Sequence, residues 1–299
     1  MEQLYKFLGI SRQGALARIR HLLIEHHMME QIQLQVNAYR ESKECRAGSR
    51  NLYHNLGIKS TYAIGVNKFE RLMSAYHLTM RPLKMHIVTT QSTLQSWNYN
   101  NLVNGLELSD VNQVVAGDLT YIKLGTKVFY LFGLTDLYSA RVVGACVSDR
   151  MRAQDALNAL LDWIKLRGSK NIEGCIHHTD GGGQYFSKEY LEVLASNHAK
   201  VSVAKTCIQN GYAEQRNCLI KHHLLPTRDI NSLAGFHKEI EESLYFYNYE
   251  RKQEGLGWRT PVEFEMYLSR LENKEHPKMK LHDFANYKRG FPRHMSTKS

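Results

Sequence analysis

The sequence has no long apolar run. Its longest, Val128-Phe129-Tyr130-Leu131-Phe132, falls far short of the roughly 20 residues a membrane-spanning helix needs, so no membrane association is expected. Cysteine is scarce: Cys45, Cys146, Cys175, Cys207 and Cys218 are scattered and form no CxxC pair. A sparse, odd set argues against a disulfide scaffold or a zinc finger and points to reduced thiols. The opening residues are charged and broken by Gly9, so no secretory leader is expected and a cytoplasmic location is. Acidic side chains are also in deficit, 29 against 39 Lys plus Arg, for a net charge of +10. What remains is an ordinary globular composition, 43% hydrophobic and 23% charged over 299 residues. That excludes a mainly disordered chain and leaves length for two domains.

A basic chain attracts polyanions, of which nucleic acid is the commonest. The excess lies in the flanks: net +5 over residues 1–110, +1 over 111–270 and +4 over 271–299. That distribution suits a near-neutral body held on phosphate by basic arms. It suits equally a basic protein with frayed ends.

The first hundred residues read as helical. Leu16, Ile19, Leu22 and Leu23 fall at helical spacing, as do Val66, Phe69, Leu72 and Met73. We divide this part into an N-terminal helical segment (1–40), a helix-turn-helix-like region (41–85) and a linker (86–110) rich in Thr, Ser, Asn and Gln. Short helices around Gly57 and Gly65 with basic residues fit a DNA reader, in which Arg50, Lys68 and Arg71 are the candidate contacts. Small helical bundles share that pattern.

From about residue 111 the period changes. Val114–Ile122, Lys127–Leu134 and Ala140–Val147 read as three strands joined by short turns. A helix through Ala156–Ile164, a fourth strand at Ile172–His178, a helix after Ser187, a fifth strand at Lys200–Val203 and helices over Ala213–Leu225 and Ser232–Tyr249 follow. This order predicts an α/β mixed five-stranded sheet flanked by helices, spanning 111–270 and followed by a basic tail, 271–299.

Three acids stand out. Asp118 lies within the first strand, Asp180 just past the fourth, and Glu214 near a helix start. If the first and fourth strands are neighbours, two carboxylates meet at one edge and the helix adds a third. Converging carboxylates without His or Cys suit Mg²⁺ or Mn²⁺. Two such ions would activate a nucleophile and stabilise the leaving oxygen in phosphodiester chemistry. Taken singly, Asp180 reads equally as a turn opener before Gly181-Gly182-Gly183, and Glu214 as a first-turn acid. A mid-strand Asp118 is harder to dismiss. Lys221, seven residues after Glu214, falls two turns on along the same face and could hold phosphate. It reads equally as an ordinary surface lysine.

Together the motifs resemble a known family. Gly117-Asp118-Leu119-Thr120-Tyr121-Ile122, Thr135-Asp136-Leu137-Tyr138-Ser139, His178-Thr179-Asp180-Gly181-Gly182-Gly183-Gln184-Tyr185, Asn210-Gly211-Tyr212-Ala213-Glu214 with Asn217 and Lys221, and Tyr247-Asn248 with Arg251, Leu256-Gly257 and Thr260-Pro261 occur in order. They are similar to the catalytic domain of insertion-sequence transposases of the OrfB type, akin to retroviral integrases. The resemblance implies an RNase H-like fold and an Asp118, Asp180, Glu214 triad holding two Mg²⁺ or Mn²⁺ ions. It also implies DNA strand cleavage and strand transfer, with Lys221, Arg216 and Asn217 near double-stranded DNA. Expected partners are the element ends and target DNA, further copies of the chain, and an upstream-frame protein that is fused or associated. Departures at Val115, Ala140, Gly181 and Gln253 keep open an inactive DNA-binding relative acting as a regulator. A plain RNase H-like nuclease is disfavoured by the helix-turn-helix-like front. His177, His178, His222 and His223 read as second to the acids or DNA-facing, because adjacent strand residues point to opposite faces.

Overall fold

The computed structural model describes residues 5, 7, 9–81, 98–124, 126–205, 210–225, 230 and 232–283. They divide into two compact units, 1–83 and 84–299.

The first unit is all helical. Helix α1 (Arg12–Ser42) starts where Ser11 Oγ accepts the Gly14 amide at 3.0 Å, a standard N-cap. Three short helices follow: α2 (Ser49–Asn55), α3 (Ile58–Tyr62) and α4 (Val66–Ala75). The turn into α3 passes through Gly57 at φ 61°, a left-handed position that glycine takes without strain. Met29, Ile32 and Val36 of α1 share one core with Leu52, Ile58, Phe69 and Met73. The expected division between 1–40 and 41–85 is therefore absent. The C-terminal half of α1 supplies one wall of the core that the short helices need.

The second unit is built on five strands: β2 (Val114–Leu124), β3 (Lys127–Asp136), β4 (Val142–Ser148), β5 (Ile176–Thr179) and β6 (Lys200–Val203). Their order is β4-β3-β2-β5-β6. The β2–β3 and β3–β4 pairs are antiparallel; β2–β5 and β5–β6 are parallel. A meander followed by two crossovers is the RNase H-like arrangement that the resemblance implies. The first and fourth predicted strands are neighbours, with Gly117 opposite Thr179.

Helices cover both faces. On one, α5 (Ala153–Arg167) and α6 (Lys188–Ser196) bury Leu160, Trp163, Tyr190 and Leu194 against Val115, Phe132 and Leu134. Gly144 lets α5 lie close to β4, because a Cβ there would run into the Ala159 carbonyl oxygen. On the other face, α7 (Gly211–Leu219) and α9 (Pro261–Leu268) bury Ala213, Phe264 and Leu268 against Val114, Ala116 and Leu137. Helix α8 (Leu233–Tyr245) stacks Phe236 on Phe129 at 4.7 Å between ring centroids.

The ends of the predicted catalytic region need correcting. A two-stranded sheet joins β1 (Glu107–Leu108) to β7 (Met279–Lys280). Leu108 and Leu281 are buried in the cluster that holds Phe264. Residues at the end of the expected linker and at the start of the expected tail are thus part of the body, paired by backbone hydrogen bonds that no apolar period announces. The rest of both segments, 86–97 and 284–299, lies outside the described residues.

Candidate metal and nucleic-acid site

Asp118 stands in the middle of β2, opposite Gly133. It is nearly buried, at 9% exposure. Asp180 follows the last residue of β5, where Gly181 turns the chain at φ 83°. Its Oδ1 accepts the Gly182 amide at 3.0 Å, so it opens a turn and faces the site at once. Glu214 lies in the first turn of α7, a helix that crosses β2 and β3.

The electrostatics tie the three together. Burial first, then the charge of Asp180 and that of Glu214, push Asp118 up to about 8. The hydrogen bond from Asn217 opposes that rise. Burial raises Asp180 against the pull of the Gly182 amide. Burial and the charge of Asp180 raise Glu214. Carboxyls that disfavour one another's ionisation mark a place with surplus negative charge.

All-oxygen acidic donors match the chemistry of Mg²⁺ or Mn²⁺. Among the described residues, however, no three His, Cys, Asp or Glu groups stand close enough to hold one ion between them. The donor chemistry fits and the spacing is open. At Asp118, Oδ2 accepts Asn217 Nδ2 at 2.6 Å.

Asn217 is therefore a correction. Expected to face DNA, it is buried at 6% exposure and bound to Asp118. One turn on from Glu214, it lies on the side of α7 that meets the sheet. Lys221 lies in a π-helical segment, Ile220–Leu224, that continues helix α7. The Lys221 ammonium lies 4.3 Å from the Tyr121 ring centroid, and burial lowers its pKa. Arg216 lies half-buried with its guanidinium 6.0 Å from the Tyr247 ring.

In the helical unit, Arg50 pairs with Glu70 at 2.9 Å and Lys68 with Glu25 at 3.3 Å, while Arg71 is exposed. Exposed pairs of this kind are worth about 0–1 kcal/mol. His177 and His178 are both buried at 1% exposure, which corrects the DNA-facing alternative. They do point to opposite faces. His177 accepts or donates to Tyr190 Oη at 2.8 Å within the core, and His178 Nδ1 meets Ser202 Oγ at 2.9 Å.

Two residues near the acids escaped the sequence reading. Asn210, the N-cap of α7, makes no capping bond. Its Nδ2 lies 3.5 Å from Asp118 Oδ1, while its own Oδ1 is buried without a hydrogen-bond partner. Tyr185 is fully packed, its hydroxyl also unpartnered, within charge range of Asp118 and Asp180. Both lie inside the quoted motifs, but only packing shows that they face Asp118.

Other motif residues are structural. Buried Asp136 accepts the amides of Asn112, Tyr138 and Ser139 at 2.6, 3.0 and 3.0 Å. Glu265 of α9 takes Arg141 Nη1 at 2.6 Å and Arg167 Nη1 at 2.9 Å. Asn248 both donates to the Val142 carbonyl, at 2.9 Å, and accepts its amide, at 3.0 Å. It thereby pairs with the β4 edge as a strand would.

With this geometry in hand, the comparisons are specific. Residues 109–207 match the family model described as integrase core domain. The chain is 26% identical over 86% of its length to the insertion element IS600 uncharacterized 31 kDa protein of Shigella sonnei, covering 95% of that protein. It is 29% identical over 72% of its length to the transposase for insertion sequence element IS904 of Lactococcus lactis, covering 85% of it. It is 32% identical over 56% of its length to transposase InsF for insertion sequence IS3A of Escherichia coli, covering 58% of it. The HTLV-2 integrase catalytic core domain, solved in complex with magnesium, superposes over 56% of this chain and 99% of that one. The identity there is 22% and the TM-score 0.42. Residues 109–207 thus match the model of an integrase core domain, and the chain as a whole is similar to insertion-sequence transposases.

Proposed function

We propose that the chain is a DNA transposase that cuts and joins strands at the ends of an insertion sequence. Asp118, Asp180 and Glu214 are the candidate holders of two divalent ions, Mg²⁺ or Mn²⁺. The observation that carries this reading is the buried mid-strand Asp118, flanked by the charges of Asp180 and Glu214. A lone buried carboxyl there would cost stability without return. The relatives' names support the same reading.

The ions would supply Lewis-acid charge to the attacking and leaving oxygens. The chain's own residues do the rest. Asn217 fixes the rotamer of Asp118 through Oδ2. The Gly182 amide fixes Asp180. Helix α7 carries Glu214 across the sheet. In cleavage, a water oxygen forms one bond to phosphorus and the 3′-oxygen leaves, taking a proton to become a hydroxyl. In joining, that 3′-hydroxyl exchanges one phosphodiester for another, with no net loss of P–O bonds. Positioning and charge neutralisation are the enzyme's share.

The test avoids the unknown end sequences. A branched DNA that mimics a joined product is incubated with the full chain and Mg²⁺ or Mn²⁺, beside Asp180→Ala. Resolution that needs metal and is lost in the variant is expected. DNA binding that falls with salt but brings no resolution would favour the inactive regulator instead.

A further inference from the structure

Helix α1 buries mainly its C-terminal half; nearer its start Ala15 is buried too. Met29, Ile32 and Val36 enter the core of the helical unit, whereas Leu16, Ile19 and Leu23 are 43%, 51% and 62% exposed. These three lie on one face, well round the helix from the buried stripe. The face continues at alternate spacings of four and three: Arg12, Leu16, Ile19, Leu23, His26, Glu30. That is the seam of a short coiled coil, and its ends carry opposite charges.

We propose that this face pairs two copies of the chain as antiparallel α1 helices. Antiparallel pairing about the middle of the seam sets Ile19 against Leu23 of the second copy. Leu16 then packs against the second copy's His26. Arg12 comes opposite the second copy's Glu30, once at each end. A parallel pair would instead set Arg12 against Arg12 and Glu30 against Glu30, like charges that are destabilising. The charges thus select both the occupant and its direction. Arg12 is exposed and makes no ion pair among the described residues. Among the described residues Glu30 pairs with His26 and His27, at 3.6 and 3.5 Å, exposed contacts worth little. The seam spans roughly 27 Å at about 1.5 Å per residue. It has only three apolar layers a side, so the pairing is reversible and gains from tethering on a shared DNA. The inference stands apart from the catalytic reading, since it uses no residue of the acid cluster.

The test is sedimentation of the full chain without DNA or metal. The mass is expected to rise from one chain toward two as concentration is raised across roughly 1 to 100 μM. Ile19→Asp and Leu23→Asp, at exposed positions, keep the one-chain mass with unchanged circular dichroism. Arg12→Glu alone and Glu30→Arg alone each weaken association, by roughly tenfold, and the two together restore it. A wild-type chain that stays single throughout, a pair that survives Ile19→Asp, or a double charge swap no better than its parents would overturn the proposal. The first of these outcomes would leave the seam to a different helix.

Discussion

At the scale of residues, the short bond from Asn217 to Asp118 decides how the acid cluster is held. Removing it leaves a buried carboxyl without its shortest side-chain donor, Asn210 Nδ2 being 3.5 Å away, which costs about 1–3 kcal/mol. Asn217→Ala is therefore expected to lower the melting temperature modestly. Its larger effect is on strand transfer, expected to fall at least tenfold in rate with DNA affinity little changed. Equal activity in the variant would show that Asp118 needs no such support. His177 gives a second prediction. Burial first, and then neighbouring His178, lower its pKa from 6.5 to about 3. The folded protein keeps this ring neutral while the unfolded chain takes up a proton below 6.5. Its contribution to stability is complete above 6.5 and is lost as pH falls toward 3. Between those values stability declines by up to about 1.4 kcal/mol per pH unit from this residue. Denaturant melts at pH 7 and pH 4 should show a smaller acid loss in His177→Gln than in wild type. An identical loss would remove His177 from the account.

At the scale of elements, the sheet depends on two close fittings. Gly144 admits α5, so Gly144→Ala forces β4 and α5 apart and is expected to cost about 1–3 kcal/mol. A denaturant midpoint unchanged from wild type would contradict that packing. Glu265 ties α9 to Arg141 and Arg167, all three side chains being 10–14% exposed. Burial works against its ionisation, but the two guanidiniums outweigh it and hold its pKa below the usual range. Glu265→Ala strands Arg141 and leaves Arg167 only the longer pair with Asp136 at 3.8 Å; it is expected to cost about 3–5 kcal/mol, read as a lower melting temperature that Glu265→Asp partly rescues.

These elements also mark what a sequence reading can reach. The five strands were legible, because apolar runs broken by turns announce them; their order was left conditional in the sequence and comes from the pairing of the strands. Asp118 was legible as a charge where a strand should be apolar. Three things were hidden. The β1–β7 pair is two residues long on each side, too short for any period. The π-helical segments Ile220–Leu224 and Phe246–Glu250 look α-helical in sequence. Asn217 was placed near DNA by the resemblance alone, since a polar residue on a polar helix has no apolar period to place it. Only the neighbouring strand shows that it turns inward.

At the scale of the whole molecule, a chain of net charge +10 whose excess lies in its flanks is expected to bind polyanions by releasing counterions. DNA affinity is expected to fall by about tenfold or more between 50 and 200 mM salt. Affinity insensitive to salt would mean that charge is not the main attraction. No helix among the described residues is long and apolar enough to cross a membrane. The central claim, however, concerns the acids of the sheet and the ions they would hold. The most direct measurement is the number of Mn²⁺ ions bound by the full chain, counted by electron paramagnetic resonance, for wild type and for Asp118→Asn. The account predicts saturable binding in wild type that is weakened at least tenfold by removing one acid. Absence of saturable binding in wild type, or binding that Asp118→Asn leaves intact, would contradict it.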